Sequence, residues 1–243
     1  MLSVIIPAHN EQGCIQETTT KLVKRLEQET IHHEILIVND NSTDNTEEIL
    51  KTLSSQYATV WYVNNPPPNG FGLAVRQGLE HFKGDVAAIY MADQSDDPED
   101  LVKFYRKYQE GYDCVFGTRW SKGGKTYDYP LPKHLLNRLA NNFIRLILQI
   151  KYDDVTNAFK LYSRKTIRGL QPLLSNHFNI TVEMPLKSII RGYSYAVVPN
   201  SWTNRKTGES KLKIKEMGSR YIFIILYCVL EKWLSRKDYY REY

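Results

Sequence analysis

Val86-Ala87-Ala88-Ile89-Tyr90-Met91-Ala92-Asp93-Gln94-Ser95-Asp96-Asp97-Pro98 is an apolar run that ends in carboxylates. Its first six residues have the composition of a parallel strand buried on both faces. In open α/β sheets, ligands bind at the carboxyl ends of such strands. Three carboxylates within five residues repel one another unless a cation stands among them. A hard divalent cation carrying phosphates meets that need, because Mg²⁺ takes one or two protein carboxylates and fills its shell with phosphate and water oxygens. Asp97-Pro98-Glu99-Asp100 is also a good helix start. Both roles fit together, with Asp97 as N-cap and Asp93 as ligand.

Outward from this strand, the first half of the chain alternates strand and helix. Strands are expected at 2–7, 34–38, 59–63, 85–91 and 113–117, and helices at 13–28, 43–54, 71–82 and 98–109. Ser42 or Thr43 is the expected cap of the second helix, and Pro66-Pro67-Pro68-Asn69-Gly70 is a loop. This alternation implies right-handed βαβ units, hence a mostly parallel, Rossmann-like sheet with helices on both faces. The second half is less regular. A long helix at 135–150 carries an apolar stripe of Leu135, Leu136, Leu139, Phe143, Leu146, Ile147 and Ile150. Further on, 157–162 and 194–199 read as strands and 181–191 as a helix. No repeat divides the chain, and no boundary shows before about residue 205, so 1–204 reads as one catalytic domain and 205–243 as an appendage.

The net charge of +5 resides in that appendage, where ten Lys/Arg face five Asp/Glu. A basic end beside an acidic pocket argues against a nucleic-acid binder and fits a surface that meets anionic lipid or phosphate. Cys14, Cys114 and Cys228 show no metal-ligand spacing and read as buried thiols of a reducing compartment. Met1-Leu2-Ser3 leads straight into a strand, so no signal peptide is expected. The longest uncharged apolar run, 221–230, has ten residues against the roughly 20 of a membrane span. Lys211, Lys213, Lys215 and Arg220 precede it, and Lys232, Trp233, Arg236 and Lys237 follow. That pattern suits an amphipathic helix lying in a membrane interface, with Ile222, Ile225 and Val229 toward lipid. A docked core helix or a dimer seam fits the same residues.

Four further motifs lie where strands end. Pro7-Ala8-His9-Asn10-Glu11 closes the first strand, and Glu11 there can accept from a ribose hydroxyl or simply cap the next helix. Asn39-Asp40-Asn41-Ser42-Thr43-Asp44 repeats the design, and Asp40 can accept from a nucleobase N–H edge or serve as a cap. Asn69-Gly70-Phe71-Gly72 lacks both the dinucleotide glycine spacing and the P-loop lysine, so its glycines read as turn-formers. Gly117-Thr118-Arg119 puts an arginine at the same rim, and Arg205, Lys206, Ser210 and Lys211 form a second basic group. Guanidinium and ammonium groups near a metal site suit the handling of more than one phosphate.

Taken in order, these motifs resemble the family 2 glycosyltransferases, and within them the dolichol- and polyprenyl-phosphate hexose synthases. Asn157-Ala158-Phe159-Lys160-Leu161-Tyr162, Val182-Glu183-Met184 and the set from Arg205 to Leu212 extend the resemblance over nearly the whole chain. It implies an A-type glycosyltransferase fold and inverting transfer of a hexose from a nucleotide sugar (GDP-mannose or UDP-glucose type) to a dolichyl or undecaprenyl phosphate. It implies nucleotide contacts from Pro7, Ala8, Asn10, Glu11, Asp40 and Ala92. Mg²⁺ or Mn²⁺ would bind Asp93, with Ser95 and Asp96 as further candidates. Arg119, Arg205, Ser210 and Lys211 would receive the lipid phosphate, with Asp93, Arg119, Arg205 and Lys211 as the catalytic set. The protein would sit peripherally on the cytoplasmic face of a membrane.

The acidic loop departs from the family, which usually reads Asp-Ala-Asp-Leu-Gln or Asp-Ala-Asp-Leu-Ser. Met91 replaces the first Asp, and Ser95 stands where a metal-binding Gln often does. A sister enzyme with a sugar-hydroxyl acceptor would need a base, for which Asp96, Asp97 and Glu183 are the candidates. A non-catalytic nucleotide-sugar-binding scaffold is the remaining alternative, and the basic set at Arg119, Arg205 and Lys211 opposes it.

Overall fold

The structure, a computed structural model, describes residues 1–204 and 214–241. Its order is β1 (Leu2–Ala8), α1 (Ile15–Gln28), β2 (His33–Asn39), α2 (Thr46–Gln56), β3 (Val60–Asn64), α3 (Phe71–His81), β4 (Val86–Ile89), α4 (Pro98–Gln109) and β5 (Cys114–Thr118). Then come β6 (Lys125–Tyr127), α5 (Leu131–Leu148), β7 (Lys160–Ser163), α6 (Arg164–Gly169), α7 (Ile180–Ile190), β8 (Tyr195–Pro199), β9 (Ser201–Thr203) and α8 (Ile214–Leu234).

Seven strands form one sheet in the order β3-β2-β1-β4-β7-β5-β8. Six run parallel; β7 is antiparallel to both β4 and β5. Side chains alternate between the two faces, as a pleated strand requires. Val4, Ile6, Ile35 and Ile37 enter the core under α1, α2 and α4, whereas Ile5, Leu36 and Val38 enter the core under α3, α7 and α8. The α/β architecture inferred from the alternation therefore holds.

The strand expected at 157–162 starts only at Lys160 and runs backwards through the parallel order. Two short elements, β6 and β9, pair with each other in a second sheet. Their three-residue lengths leave no periodicity to read. The cap of α2 also differs from expectation. Asp44 accepts from the Thr46 N–H (3.0 Å) and hydroxyl (2.5 Å), while Ser42 turns to the Asn10 N–H (3.0 Å). Asp97 caps α4 as read, accepting from Glu99 N–H at 2.9 Å with Pro98 following.

The largest correction concerns α5. Most of its stripe is not a core face: Leu135, Leu136, Leu139, Phe143 and Leu146 are exposed, only Ile147 and Ile150 pack against the core, and Asn141, Ile144 and Leu148 are buried instead. Between Tyr221 and Leu230 the helix α8 is uncharged and mostly apolar, and it splits into two faces. Ile224, Ile225 and Cys228 enter the core, while Ile222, Phe223, Leu226 and Leu230 face outward. Ile225 is therefore a core residue, not a membrane-facing one. A buried ion pair, Arg191 to Glu231 at 2.7 and 2.9 Å, pins α8 behind α7. Lys232 reaches the Leu148 carbonyl at 2.5 Å and ties α8 to the end of α5.

Candidate active site

Three strand ends are knitted into one rim. The Asp40 N–H donates to the Ala8 carbonyl (2.8 Å), and a His9 ring nitrogen meets the Asp40 carbonyl at 2.6 Å. Asn10 takes a left-handed backbone (φ 53°) that aims its side-chain oxygen at the Thr43 N–H, 2.7 Å away. The Glu11 N–H donates to the Thr46 hydroxyl at 2.9 Å, and its side chain is half-buried. Pro7 and Ala8 are buried in the floor.

Asp40 is buried, and both carboxylate oxygens already hold the next loop. Oδ1 accepts from the Asn65 amide (2.7 Å) and Oδ2 from the Gly70 N–H (2.9 Å). Each oxygen keeps a lone pair for a further donor. A side chain at Gly72 would lie 2.5 Å from the Ser175 carbonyl and 2.8 Å from the His177 N–H nitrogen. The glycine of this motif thus serves close approach of the 175–177 segment, rather than the tight turn inferred from sequence.

The acidic loop forms the centre. Ala92 is buried, and its carbonyl accepts from the Thr18 hydroxyl at 2.8 Å. Asp93 is half-buried and accepts from the Ser95 N–H at 3.2 Å. Asp96 is buried, accepting from the Met91 N–H at 3.2 Å. Burial, then the charge of Asp93, pushes the Asp96 carboxyl up to about 8. Strand β9 clamps the loop from outside: Thr203 N–H donates to the Ser95 carbonyl (3.0 Å) and Ser201 N–H to Asp100 (2.6 Å). Among the described residues no three metal-ligating side chains gather. One exposed-edge carboxylate and a second whose ionisation it suppresses still form an all-oxygen set that a hard cation with phosphate ligands would relieve. Of the metal candidates, Ser95 is buried and engaged through its backbone.

Arg119 is placed at the rim but not as a free cation. Its Nε and Nη2 grip both oxygens of buried Asp154 at 2.8 and 2.7 Å, and its N–H adds a bond of 2.9 Å. Burial opposes the charge, yet Asp154 outweighs it and holds the guanidinium above its usual pKa. Trp120 and Tyr129 lie beside it, at 5.3 and 5.8 Å. Tyr129 and Trp120 contact His134 in the first turns of α5, and Tyr129 contacts Trp202 on β9. Lys133 lies over Tyr129 and Trp202, and Arg138 over Trp120. The sequence reading missed this aromatic and basic cluster and Asp154. Only the Asp153-Asp154 pair ahead of the Asn157–Tyr162 motif hinted at it. Arg205, Ser210 and Lys211 lie outside the described residues.

The candidate bases are otherwise engaged. Glu183 is buried, paired with Lys187 at 2.6 Å, and accepts from the Leu174 and Ser175 N–H groups at 2.8 and 2.7 Å. Asp97 caps α4 and Asp96 is held largely neutral. A cavity of about 410 Å³ opens against the acidic loop, lined by Ser95, Asp96 and Asp97 together with Thr18, Lys21 and Tyr127 among others. Glu11, Asp40 and Arg119 do not line it.

The model of the family "Glycosyl transferase family 2" matches residues 3–170. A dolichol-phosphate mannosyltransferase of Pyrococcus furiosus is 32% identical over 242 residues, covering 98% of this chain and 65% of that protein. The uncharacterized glycosyltransferase YkcC of Bacillus subtilis is 26% identical over 215 residues, covering 88% of this chain and 64% of that protein. The chain thus spans about two-thirds of the length of either relative. Among solved structures, glucosyl-3-phosphoglycerate synthase from Mycobacterium tuberculosis in complex with UDP superposes with a TM-score of 0.70 at 17% identity, covering 94% of this chain and 80% of that one. The same enzyme with Mn²⁺, UDP and phosphoglyceric acid gives 0.71 at 18% identity, covering 94% and 78%. These likenesses identify an A-type glycosyltransferase fold.

Proposed function

The chain belongs to glycosyl transferase family 2, and from that premise we propose that it transfers a hexose from a nucleotide sugar to a polyprenyl phosphate at a membrane surface. One observation carries the acceptor class. The helix α5 starts against Trp120 and Tyr129, beside Arg119, and then presents an exposed apolar stripe from Leu135 to Leu146. Its neighbour α8 presents a second such stripe. Contiguous exposed apolar surface of this kind marks a partner or a membrane. A lipid whose phosphate reaches the rim and whose chain follows α5 accounts for both ends of that helix. The 32% identity to a dolichol-phosphate mannosyltransferase supports the same acceptor class.

Within this reading Asp40 and Glu11 hold the nucleoside. Asp93 would hold Mg²⁺ or Mn²⁺ beside the donor diphosphate. When bound, the cation would supply charge neutralisation for the departing nucleoside diphosphate. The acceptor phosphate is already an anion near neutral pH, so no carboxylate need take its proton; this agrees with Glu183, Asp97 and Asp96 being engaged elsewhere. The protein's task is to hold two anions in line, which falls to Arg119, Lys133 and Arg138 at the rim, with Arg205, Ser210 and Lys211 assigned from sequence. Peripheral attachment at a cytoplasmic face, and a division into a catalytic part (1–204) and a basic, membrane-facing part (205–243), belong to the same proposal. Among the described residues no helix is long and apolar enough to cross a membrane.

The test offers the protein a panel of radiolabelled nucleotide sugars with either a polyprenyl phosphate or 3-phosphoglycerate. Label in the organic phase supports the proposal. Label confined to a water-soluble product, or no transfer at all, overturns it.

A further inference from the structure

Lys160 is the first residue of β7, in register with Ile89 of β4 and Phe116 of β5, and is 1% exposed. Its Nζ donates to three backbone carbonyls: Val155 at 3.0 Å, Thr181 at 3.1 Å, and Asn157. An ammonium has three protons, and these acceptors use them all. Burial pushes this group's pKa down while the three converging carbonyls favour its protonated form, so the fold carries a desolvation cost to keep it. A methionine of similar length would fill the space without that cost.

What the ammonium holds is informative. Residues 153–157 are a junction: Asp153 accepts from the Thr118 hydroxyl (2.8 Å), Thr156 from the Asn137 amide (2.7 Å), and Asn157 donates to Asn200 (3.0 Å). Asp154, in the same segment, grips Arg119. Thr181 belongs to the first turn of α7, on the other side of the ammonium.

We propose that Lys160 is a positioning residue for Arg119. Its buried ammonium ties the 155–157 segment to the first turn of α7, and thereby fixes Asp154, which holds the arginine fork at the rim. The importance of that placement for catalysis rests on the reading of Arg119 as an acceptor-phosphate group; the mechanical link does not.

The test therefore uses no substrate. In protein labelled with ¹⁵N-arginine, the Arg119 Nε–H is identified by its loss in Arg119→Lys, and its exchange with water is measured. The Arg191 Nε–H, paired with Glu231 behind α7, is the internal control. In Lys160→Met the Arg119 proton should exchange at least tenfold faster while Arg191 keeps its protection. Lys160→Gln, whose amide retains two donors, should fall between. Unchanged Arg119 exchange in either folded variant overturns the proposal. Equal loss of protection at both arginines, in both variants, also overturns it, because Lys160 then serves the whole fold. Either failure leaves the transfer reading standing, and a failed transfer assay leaves the Lys160–Arg119 link standing.

Discussion

Replacing Leu139, Phe143, Leu226 and Leu230 together with Ser should release the protein from anionic vesicles without unfolding it. The four side chains are 58%, 52%, 55% and 56% exposed. Fully burying such a side chain is worth roughly 1.5–3 kcal/mol. Covering the exposed half in lipid is then worth about 1 kcal/mol each, or about 4 kcal/mol for the set. At about 1.4 kcal/mol per tenfold, that is on the order of a thousandfold in partition. Basic residues beside the two helices add ~1 kcal/mol each near anionic lipid and remain in the variant. Flotation with vesicles rich in anionic lipid should bring wild type to the top fraction and leave the variant at the bottom, and high salt should weaken wild type further. The thermal midpoint should stay within a few degrees, because none of the four is in the core. Ile225 is unsuitable for this test: at 7% exposed, its replacement with Ser would damage the core and say nothing of lipid. Equal flotation of variant and wild type would refute the argument. So would a wild type that ignores vesicles and dimerises through these faces.

Three further outcomes follow from the site. Asp93→Asn should abolish transfer at saturating Mg²⁺, whereas Asp96→Asn, which keeps an acceptor for the Met91 N–H, should cost far less; near-normal turnover of the first variant removes Asp93 from the metal site. Burial and Asp93 raise Asp96 above its unfolded value, so the folded state keeps a proton that the unfolded state has lost. Its contribution to stability is full below about pH 4 and disappears as pH rises through about 8, by up to about 1.4 kcal/mol per pH unit. Urea unfolding at pH 5, 6 and 7 without divalent cations should show that decline in wild type and a flatter profile in Asp96→Asn, and parallel profiles would contradict it. Asp40→Asn should weaken binding of free nucleoside diphosphate in calorimetry; unchanged affinity would confine Asp40 to holding Asn65 and Gly70.

The parallel strands were legible because β1, β2, β4 and β5 are buried on both faces and the first five strands alternate with amphipathic helices of ordinary length. Val86–Ile89 and Leu2–Ala8 carry that signal in composition alone. A strand at 157–162 was legible for β7, but its later start at Lys160 and its reversed direction were not, because strand direction is set by the chain's path between elements and not by local composition. In α5, periodicity gave the helix correctly, but it cannot tell a stripe that faces a core from one that stays exposed. Both demand the same residues at the same spacing, and the difference lies in what else the chain supplies to cover them. Asp154 was invisible for a related reason. Its partner Arg119 is 35 residues away, and the adjacent Asp153-Asp154 pair does not say which carboxylate is buried or what it holds.

The Arg119–Asp154 pair changes how the rim should be regarded. A free arginine at an acceptor site would bind phosphate strongly in the ground state and gain nothing in the transition state. With two of its donors committed to Asp154, Arg119 has a fixed orientation and a partly neutralised charge. Under the proposed function it favours the geometry of transfer over mere capture, and capture falls to longer, single-charge cations such as Lys133. The division predicts opposite kinetic signatures. Lys133→Ala should raise the apparent KM for the acceptor with modest effect on kcat. Asp154→Asn, which loosens the fork, should lower kcat with a smaller change in KM, provided the variant remains folded by circular dichroism. If both variants alter only KM, the rim is a uniform electrostatic trap and Asp154 is a stabilising partner without a catalytic consequence.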